Sequence, residues 1–140
     1  MLHQKKFKLS KVTNPSQVKI EDDPVRKVSY KFRTSQGRCI FTISNKAVVC
    51  IANTFKCPID MQQLEKYSLP EAEEFTIFYT VWSYEKGYGR LILNELLQLL
   101  QTTRYVTLSP KTEMAKNFHT RNGAKLIADN KDSYNFEYFK

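Results

Sequence analysis

The sequence contains few residues of the kinds that build metal centres, disulfide frameworks or membrane spans. Its 140 residues include three cysteines and two histidines, and no CxxC pair occurs. An odd number of cysteines without short paired spacing argues against a disulfide framework, and so few nitrogen and sulfur ligands argue against zinc. No run approaches the ~18 apolar residues of a membrane span. We therefore expect no metal, no disulfide scaffold and no membrane partner.

The start of the chain also lacks the apolar stretch of a secretory signal, because residues 1–6 are polar and basic. We expect a cytoplasmic protein, either a monomer or a homodimer. Its length suits one core, so we expect a single domain over residues 1–140. Residues 1–24 are mostly polar and predict a loosely structured segment, with a short strand near Lys5–Leu9.

Positive charge exceeds negative charge over the chain as a whole. Lysine and arginine number 22 against 14 acidic residues, which gives a net charge of +8 and a pI near 9.4. This excess favours an anionic partner such as a phosphorylated cofactor or a nucleic acid. The basic residues are spread along the chain rather than blocked, a pattern more typical of a solvated surface than of a nucleic-acid footprint. Nucleic acid therefore remains an alternative partner, not the favoured one.

The first half of the chain predicts an antiparallel meander followed by a short helix. Alternating and β-branched residues between turn signals indicate the strands Val28–Arg33, Arg38–Ser44 and Ala47–Asn53. A helix is predicted within Pro58–Tyr67, with Asp60 as its N-cap.

The second half alternates strands with helices. Phe75–Trp82 is the strongest strand, and alternation predicts Phe75, Ile77, Tyr79 and Val81 on one face with Phe78 and Trp82 on the other. The remaining predicted elements are a leucine-rich helix at Leu91–Leu100, a strand at Tyr105–Leu108, a helix at Thr112–Asn122 that ends before Gly123, and a hairpin of Lys125–Ile127 with Tyr134–Phe139. This order predicts an α/β (α+β) fold, a mixed and mainly antiparallel sheet with helices packed on it.

A glycine-containing turn, Tyr84–Arg90, joins the strongest strand to the leucine-rich helix. Glycine lets the backbone approach a ligand closely, and a helix N-terminus offers N–H groups and partial positive charge to a pyrophosphate. Lys86 and Arg90 add positive charge. No G-K-[ST] follows and the third glycine of a dinucleotide fingerprint is missing, so neither of those motifs is present. Taken alone, the turn is equally compatible with glycines needed only for backbone geometry.

The run Lys86-Gly87-Tyr88-Gly89-Arg90, followed by Leu91-Ile92, resembles the pyrophosphate loop of GNAT acetyltransferases. In that family the pattern is Gln or Arg, two residues, Gly, one residue, then Gly or Ala, and here Tyr84 replaces the Gln or Arg. The resemblance implies a GNAT-like fold, acetyl-CoA (coenzyme A) as cosubstrate and an amine as acceptor. The cofactor contacts that it implies are Val81, Trp82, Ser83, Lys86, Gly87, Tyr88, Gly89, Arg90 and Asn117.

A second motif lies in the following helix. GNAT domains carry there an Ala, a Tyr four residues later and a terminal Gly-Phe; this chain has Ala115, His119 and Gly123 at those spacings, with Ala124 in place of the Phe. The spacing places the first three on one helical face. An imidazole titrates near neutral pH and can transfer a proton. For a lone histidine, satisfaction by a neighbouring polar group is the usual alternative, but the match to the family's acid position favours catalysis by His119.

The C-terminal part more closely resembles the catalytic domain of malonyl-CoA decarboxylase, which is itself GNAT-like. The matching segments are Thr107–Pro110, Asn117–His119, Arg121–Ala124 and Asn135–Tyr138. This resemblance implies that His119 is the catalytic histidine of a Phe-His motif. It also implies that Ser83, before the glycine turn, is the catalytic serine.

Two classes of function follow. The first is an enzyme that transfers acetyl from acetyl-CoA to an unidentified amine, with backbone N–H groups near Val81–Ser83 polarising the thioester carbonyl. Decarboxylation of malonyl-CoA is the alternative within this class, because its enolate needs the same stabilisation. The second class is a non-catalytic module that binds acyl-CoA or nucleic acid, which the Tyr84 departure and the positive charge favour. Fold alone does not separate these classes.

Overall fold

Eight strands and four α-helices make up the part of the chain that the structure describes, residues 8–140 of a computed structural model. The strands are β1 (Leu9–Lys11), β2 (Arg38–Ile43), β3 (Ala47–Thr54), β4 (Phe75–Ser83), β5 (Arg104–Thr107), β6 (Ser109–Pro110), β7 (Lys125–Asp129) and β8 (Ser133–Tyr138). The helices are α1 (Tyr30–Arg33), α2 (Met61–Tyr67), α3 (Tyr88–Leu99) and α4 (Glu113–Arg121). Within residues 8–140, no helix combines the length and the apolar character needed to cross a membrane.

All strands join one open sheet in the order β1-β2-β3-β4-β5-β8-β6, with β7 paired to β8. Among residues 8–140 only β4 and β5 pair in parallel, because α3 carries the chain from one to the other; the other pairs are antiparallel. The predicted fold class, a mixed and mainly antiparallel sheet with helices packed on it, is therefore confirmed.

The two faces of the sheet carry separate hydrophobic clusters. Ile92, Leu93, Leu96 and Leu97 of α3 are buried against one face, and Phe118 of α4, which is partly buried, packs on the same cluster. The other face is covered by α1, α2 and the N-terminal segment, which pack on residues such as Ile40, Ile77 and Trp82. Each fully buried large aliphatic side chain contributes roughly 1.5–3 kcal/mol, so the leucine stripe of α3 is sufficient to fix this helix over the centre of the sheet.

Two of the predicted helices, α2 and α4, begin directly after a residue whose side chain caps them. Asp60 caps α2 by accepting a hydrogen bond from the Gln63 amide at 2.7 Å, as the sequence predicts. The predicted strand Val28–Arg33 is wrong, because residues 30–33 form α1 and Ser29 is its N-cap. The Ser29 hydroxyl accepts from the Phe32 amide and starts the turn, and Arg33 is drawn inward by a buried ion pair.

A β-bulge changes which residues of β4 share a face. The register between β3 and β4 shifts by one residue, so that Tyr79 has no Cα partner on β3. Beyond the bulge the alternation is inverted. Trp82 packs on the same side as Ile77 and Tyr79, whereas Val81 packs with the cluster that contains Phe78. The predicted placement of Val81 with Tyr79 is therefore wrong.

The N-terminal segment is more ordered than its composition predicts. Residues 8–24 contain β1 and two single-turn 3-10 helices, Pro15–Gln17 and Ile20–Asp22, and Asp23 is only 2% exposed. Residues 1–7 lie outside the described part of the chain, so the predicted strand at Lys5–Leu9 is only partly covered. The observed strand begins at Leu9.

Gly37 and Gly123 form a matched pair for testing backbone packing. Both have positive φ, +85° and +92°, but a Cβ on Gly37 would lie 2.6 Å from the carbonyl of Leu69, whereas a Cβ on Gly123 meets nothing within 4 Å. Gly123→Ala should destabilise by roughly 1–2 kcal/mol through left-handed strain alone. Gly37→Ala should cost about 1–3 kcal/mol more, because the clash forces the backbone to shift. Urea unfolding measures both, and equal losses would contradict the close approach of Gly37 to Leu69.

Candidate functional site

The sheet contains an opening between β4 and β5. The two strands pair only as far as Phe78 and Thr107, and the Leu108 amide then donates to the Phe78 carbonyl at 2.9 Å. Beyond this point the chain turns into β6, which pairs with β8 instead. From Tyr79 to Ser83, β4 therefore has no strand partner on its β5 side.

The register of β4 decides which of its backbone groups face this opening. The Tyr84 amide donates to the Lys46 carbonyl, 2.7 Å away on the β3 side. Hydrogen-bonding direction alternates along an antiparallel ladder, so the backbone groups of Trp82 also face β3, while those of Val81 and Ser83 face the opening. The free edge spans about 13 Å from Tyr79 to Ser83, at roughly 3.3 Å per residue.

The glycine turn leads from this edge into α3. Gly87 has a φ of +91° and occupies the N-cap position, where it offers no capping side chain. The other α-helices of residues 8–140 are capped by the side chains of Ser29, Asp60 and Thr112. The Tyr88 amide donates to the Glu85 carbonyl at 3.2 Å, but no capping side chain accepts from the first turn of α3, which keeps the partial positive charge of a helix N-terminus. The predicted cationic residues, Lys86 and Arg90, are exposed beside it.

Gly89 brings three elements of the candidate site together. A Cβ at this position would lie 3.3 Å from the Phe118 ring of α4 and 3.9 Å from the Ser83 hydroxyl oxygen. The absence of a side chain therefore allows α4 to pack against the first turn of α3 at the end of β4. Packing is a second reason for glycine here, independent of any ligand.

His119 is buried next to Phe118, and its environment is aromatic. The side chain is 6% exposed, its Nδ1 lies 2.7 Å from the Tyr138 hydroxyl, and its ring centroid lies 5.3 Å from that of Phe136. Burial lowers the pKa of the imidazole to about 4, because the charged form loses its hydration. At neutral pH the imidazole is therefore uncharged and can accept a proton, but it is not available as an imidazolium acid.

The two predicted catalytic residues, His119 and Ser83, are not hydrogen-bonded to each other. Ser83 is exposed at the end of β4, and the hydrogen-bond partner of His119 is Tyr138 rather than Ser83. Asn117 is exposed on α4. Tyr84, which stands where GNAT loops carry Gln or Arg, donates to Asp22 at 2.6 Å and accepts from the Trp82 indole at 3.2 Å. Its hydroxyl thus contacts the N-terminal segment.

A charged cluster that the sequence analysis missed lies on the other side of β4. The Asp23 carboxylate pairs with Arg33 at 2.7 Å and accepts from the Thr80 hydroxyl at 2.9 Å, and both charged side chains are almost fully buried. It also accepts from the backbone amides of Val25 and Arg26, at 2.8 and 3.0 Å. This carboxylate therefore fixes the loop that leads into α1.

Arg26 extends from that loop to the base of the opening. Its Nε donates to the Tyr79 carbonyl at 2.9 Å and its Nη2 to the Leu108 carbonyl at 2.8 Å. The guanidinium thus bridges β4 and the end of β5 where their pairing stops. The sequence does carry a signal here, because three acidic residues precede Pro24 and an arginine follows it. Loop residues that form contacts across a sheet follow no periodicity, however, so the pairing was not predictable.

The described residues also include a polar cleft and no cluster suited to metal. The cleft has a volume of about 630 Å³, and its lining includes Asp22, Lys19 and Tyr84. Within residues 8–140, no group of three or more His, Cys, Asp or Glu side chains converges on a metal position. All three cysteines are free thiols.

No protein-family profile and no curated protein sequence matches the chain. Among solved structures, the fold is similar to that of malonyl-CoA decarboxylase from Cupriavidus metallidurans, with a TM-score of 0.56 and 17% sequence identity. The similarity covers 81% of this chain and 33% of that enzyme, so this chain corresponds to about a third of its length. At this identity the comparison shows a shared fold, that of a domain from an enzyme that acts on a coenzyme A thioester.

Proposed function

We propose that the protein binds a coenzyme A thioester, with the pyrophosphate at the glycine turn and the pantetheine arm in the opening beside β4. The observation that carries this proposal is the continuity of the two features. The free edge that includes Val81 and Ser83 runs from the base of the opening to the uncapped start of α3. The fold shared with a domain of malonyl-CoA decarboxylase supports the same ligand class.

The chemistry of each part suits the corresponding part of coenzyme A. Pantetheine contains two amide groups, which can pair with the backbone of Val81 and Ser83 as an added strand does. The N-terminus of α3 offers partial positive charge to the pyrophosphate, and Lys86 and Arg90 supply full charges beside it. The net charge of +8 favours capture of this anionic ligand.

The reaction that we propose is acyl transfer to an amine. The amine nitrogen attacks the thioester carbonyl carbon, the carbon–sulfur bond breaks, and the sulfur leaves as a thiolate that takes up a proton. The backbone N–H of Val81, which lies nearer than Ser83 to the acyl end of the free edge, would stabilise the oxyanion, and neutral His119 would accept the proton of the attacking amine.

Decarboxylation of a malonyl thioester is the second candidate, and the fold comparison favours it. In that reaction the carbon–carbon bond to the carboxylate breaks, carbon dioxide leaves, and the thioester enolate is protonated. The same oxyanion donors serve the enolate. Release of free thiol from acetyl-CoA in the presence of amines supports the first reaction, whereas conversion of malonyl-CoA to acetyl-CoA without acceptor supports the second. Binding of coenzyme A with neither turnover supports a non-catalytic module.

Gly87→Val should weaken coenzyme A binding by tenfold or more. A β-branched residue is strained at a φ of +91°, so the turn must change conformation and lose charge-assisted hydrogen bonds to phosphate, worth roughly 1.5–3 kcal/mol each. Calorimetry with coenzyme A measures the loss. Pantetheine, which lacks the pyrophosphate, should bind both proteins equally.

Gly123→Val is the matched control for this substitution. Gly123 has a φ of +92° and open space around its Cβ position, as Gly87 has, but it follows α4 rather than preceding α3. Its valine variant should show comparable backbone strain and unchanged coenzyme A affinity. A Gly87→Val protein that is folded and binds coenzyme A normally would exclude the glycine turn as the pyrophosphate site.

A further inference from the structure

The buried cluster contains more positive than negative side chains. Its carboxylate, Asp23, forms its side-chain ion pair with Arg33 and not with Arg26. Among residues 8–140 no carboxylate forms an ion pair with Arg26, whose side chain donates to the carbonyls of Tyr79 and Leu108. Arg38, on the same face, donates to the Phe32 carbonyl. The cluster of one carboxylate and two arginines, Asp23 with Arg33 and Arg26, therefore carries an excess positive charge.

This excess charge is partly removed from water. Arg26 is half-buried, and burial lowers the pKa of its guanidinium, with Asp23 acting in the opposite direction. A desolvated cation without an anionic partner is unfavourable. Carbonyl dipoles satisfy two of its N–H groups, but a guanidinium has further N–H donors available for a carboxylate.

The position of Arg26 indicates which molecule could supply a carboxylate to it. The guanidinium lies where the pairing of β4 and β5 stops, at the opposite end of the free edge from the uncapped start of α3. A thioester bound with its pyrophosphate at the glycine turn, and its arm along the free edge, therefore extends its acyl end toward Arg26. Other described cations near the opening, Lys86 and Arg90, are at the pyrophosphate end.

We infer that Arg26 is a specificity-determining residue that binds the terminal carboxylate of an acidic acyl group, so that the preferred ligands are thioesters of short dicarboxylic acids. This inference rests on the proposed thioester site and names its substrate class. It differs from a purely structural role, in which Arg26 only holds β4 to the end of β5. If Arg26 only holds these strands together, its loss should weaken the binding of all thioesters equally. If it binds a carboxylate, its loss should weaken the binding only of thioesters whose acyl group carries that charge.

Pairs of thioesters with the same chain length isolate this charge. Succinyl-CoA and butyryl-CoA differ by a carboxylate in place of a methyl group, and malonyl-CoA and propionyl-CoA differ in the same way. The wild-type protein should bind the acidic member of at least one pair tenfold or more tightly, since a hydrogen bond to a charged group is worth that factor or more. Arg26→Gln should reduce this ratio to near one, and Arg26→Lys should retain part of it.

Lys27→Gln is the matched control, because it removes the same charge from the adjacent, exposed position. It should leave the ratio within each pair unchanged. The inference is overturned if wild-type protein binds both members equally, or if the preference survives in folded Arg26→Gln; the wild-type measurement decides the matter even if that variant does not fold. Failure to bind coenzyme A and every thioester would instead overturn the proposed function itself.

Discussion

Asp23→Ala should destabilise the protein by roughly 3–5 kcal/mol, the loss typical of breaking a buried ion pair from one side. The substitution leaves Arg33, which is 0% exposed, as a buried cation without its carboxylate. It also removes the acceptor of the Thr80 hydroxyl and of the Val25 and Arg26 amides. Because total stabilities are commonly about 5–15 kcal/mol, this loss is a large part of the whole. Urea unfolding monitored by circular dichroism measures it.

The adjacent acid provides the control. Asp22 is exposed, and its carboxylate accepts from the Tyr84 hydroxyl, so Asp22→Ala should cost less than about 1 kcal/mol. Asp23→Leu combined with Arg33→Met should recover the part of the loss that comes from the unpaired Arg33, since apolar residues of similar volume often replace a buried ion pair without penalty. It should not recover the part that comes from the Thr80 hydroxyl and the two backbone amides. Equal destabilisation by Asp22→Ala and Asp23→Ala would contradict our assignment of the Asp23–Arg33 ion pair as the interaction that stabilises the loop leading into α1.

Elements governed by local sequence were predictable. The helix α2 begins where Asp60 caps it, and α4 lies between Thr112, whose hydroxyl accepts from the Ala115 amide, and Gly123 at a positive φ. The leucines of α3 recur at helical spacing, and turn residues separate β2 from β3. Each of these signals acts within a few residues of the chain, so the sequence alone is sufficient to place the element.

Features that depend on distant segments were not predictable. The bulge at Tyr79 is a property of the register between two strands, and it alone decides that Val81 and Trp82 lie on opposite faces from those predicted. Arg26 and Leu108 are far apart in sequence, yet their contact marks the base of the opening. The glycine turn can be recognised in the sequence. The free edge of β4 beside it cannot, because it depends on where the pairing of β4 with β5 stops.

The burial of His119 is a further case, and it changes the chemistry expected of that residue. From sequence, the imidazole is a proton donor or acceptor with a pKa near 6.5. In the structure it is enclosed by Phe118, Phe136 and Tyr138, and burial lowers its pKa to about 4. Desolvation thus selects the acceptor role at neutral pH, a choice that spacing along α4 cannot make.

His119→Ala should reduce turnover by roughly 10²–10⁴-fold, the usual contribution of general acid–base catalysis, while coenzyme A affinity stays nearly unchanged because the glycine turn is separate. The pH profile provides a second measurement. A neutral acceptor with a pKa of about 4 stays active as the pH falls through 6.5, and it loses activity only as the pH approaches 4 and the imidazole becomes protonated. A decline centred near pH 6.5 would show that another group controls the rate.

Two further variants separate catalysis by His119 from its packing role. Tyr138→Phe removes the hydroxyl that lies 2.7 Å from Nδ1 while keeping the aromatic ring, so it should move the low-pH limb of the profile without abolishing turnover. A phenol with an ordinary pKa near 10 suits an acid more than a base. His119→Tyr should therefore perform little better than His119→Ala if the imidazole acts as a proton acceptor, and should recover turnover only if the residue acts as a proton donor. Full activity of a folded His119→Ala protein with every thioester tested would show that the imidazole serves only to pack α4 against β8.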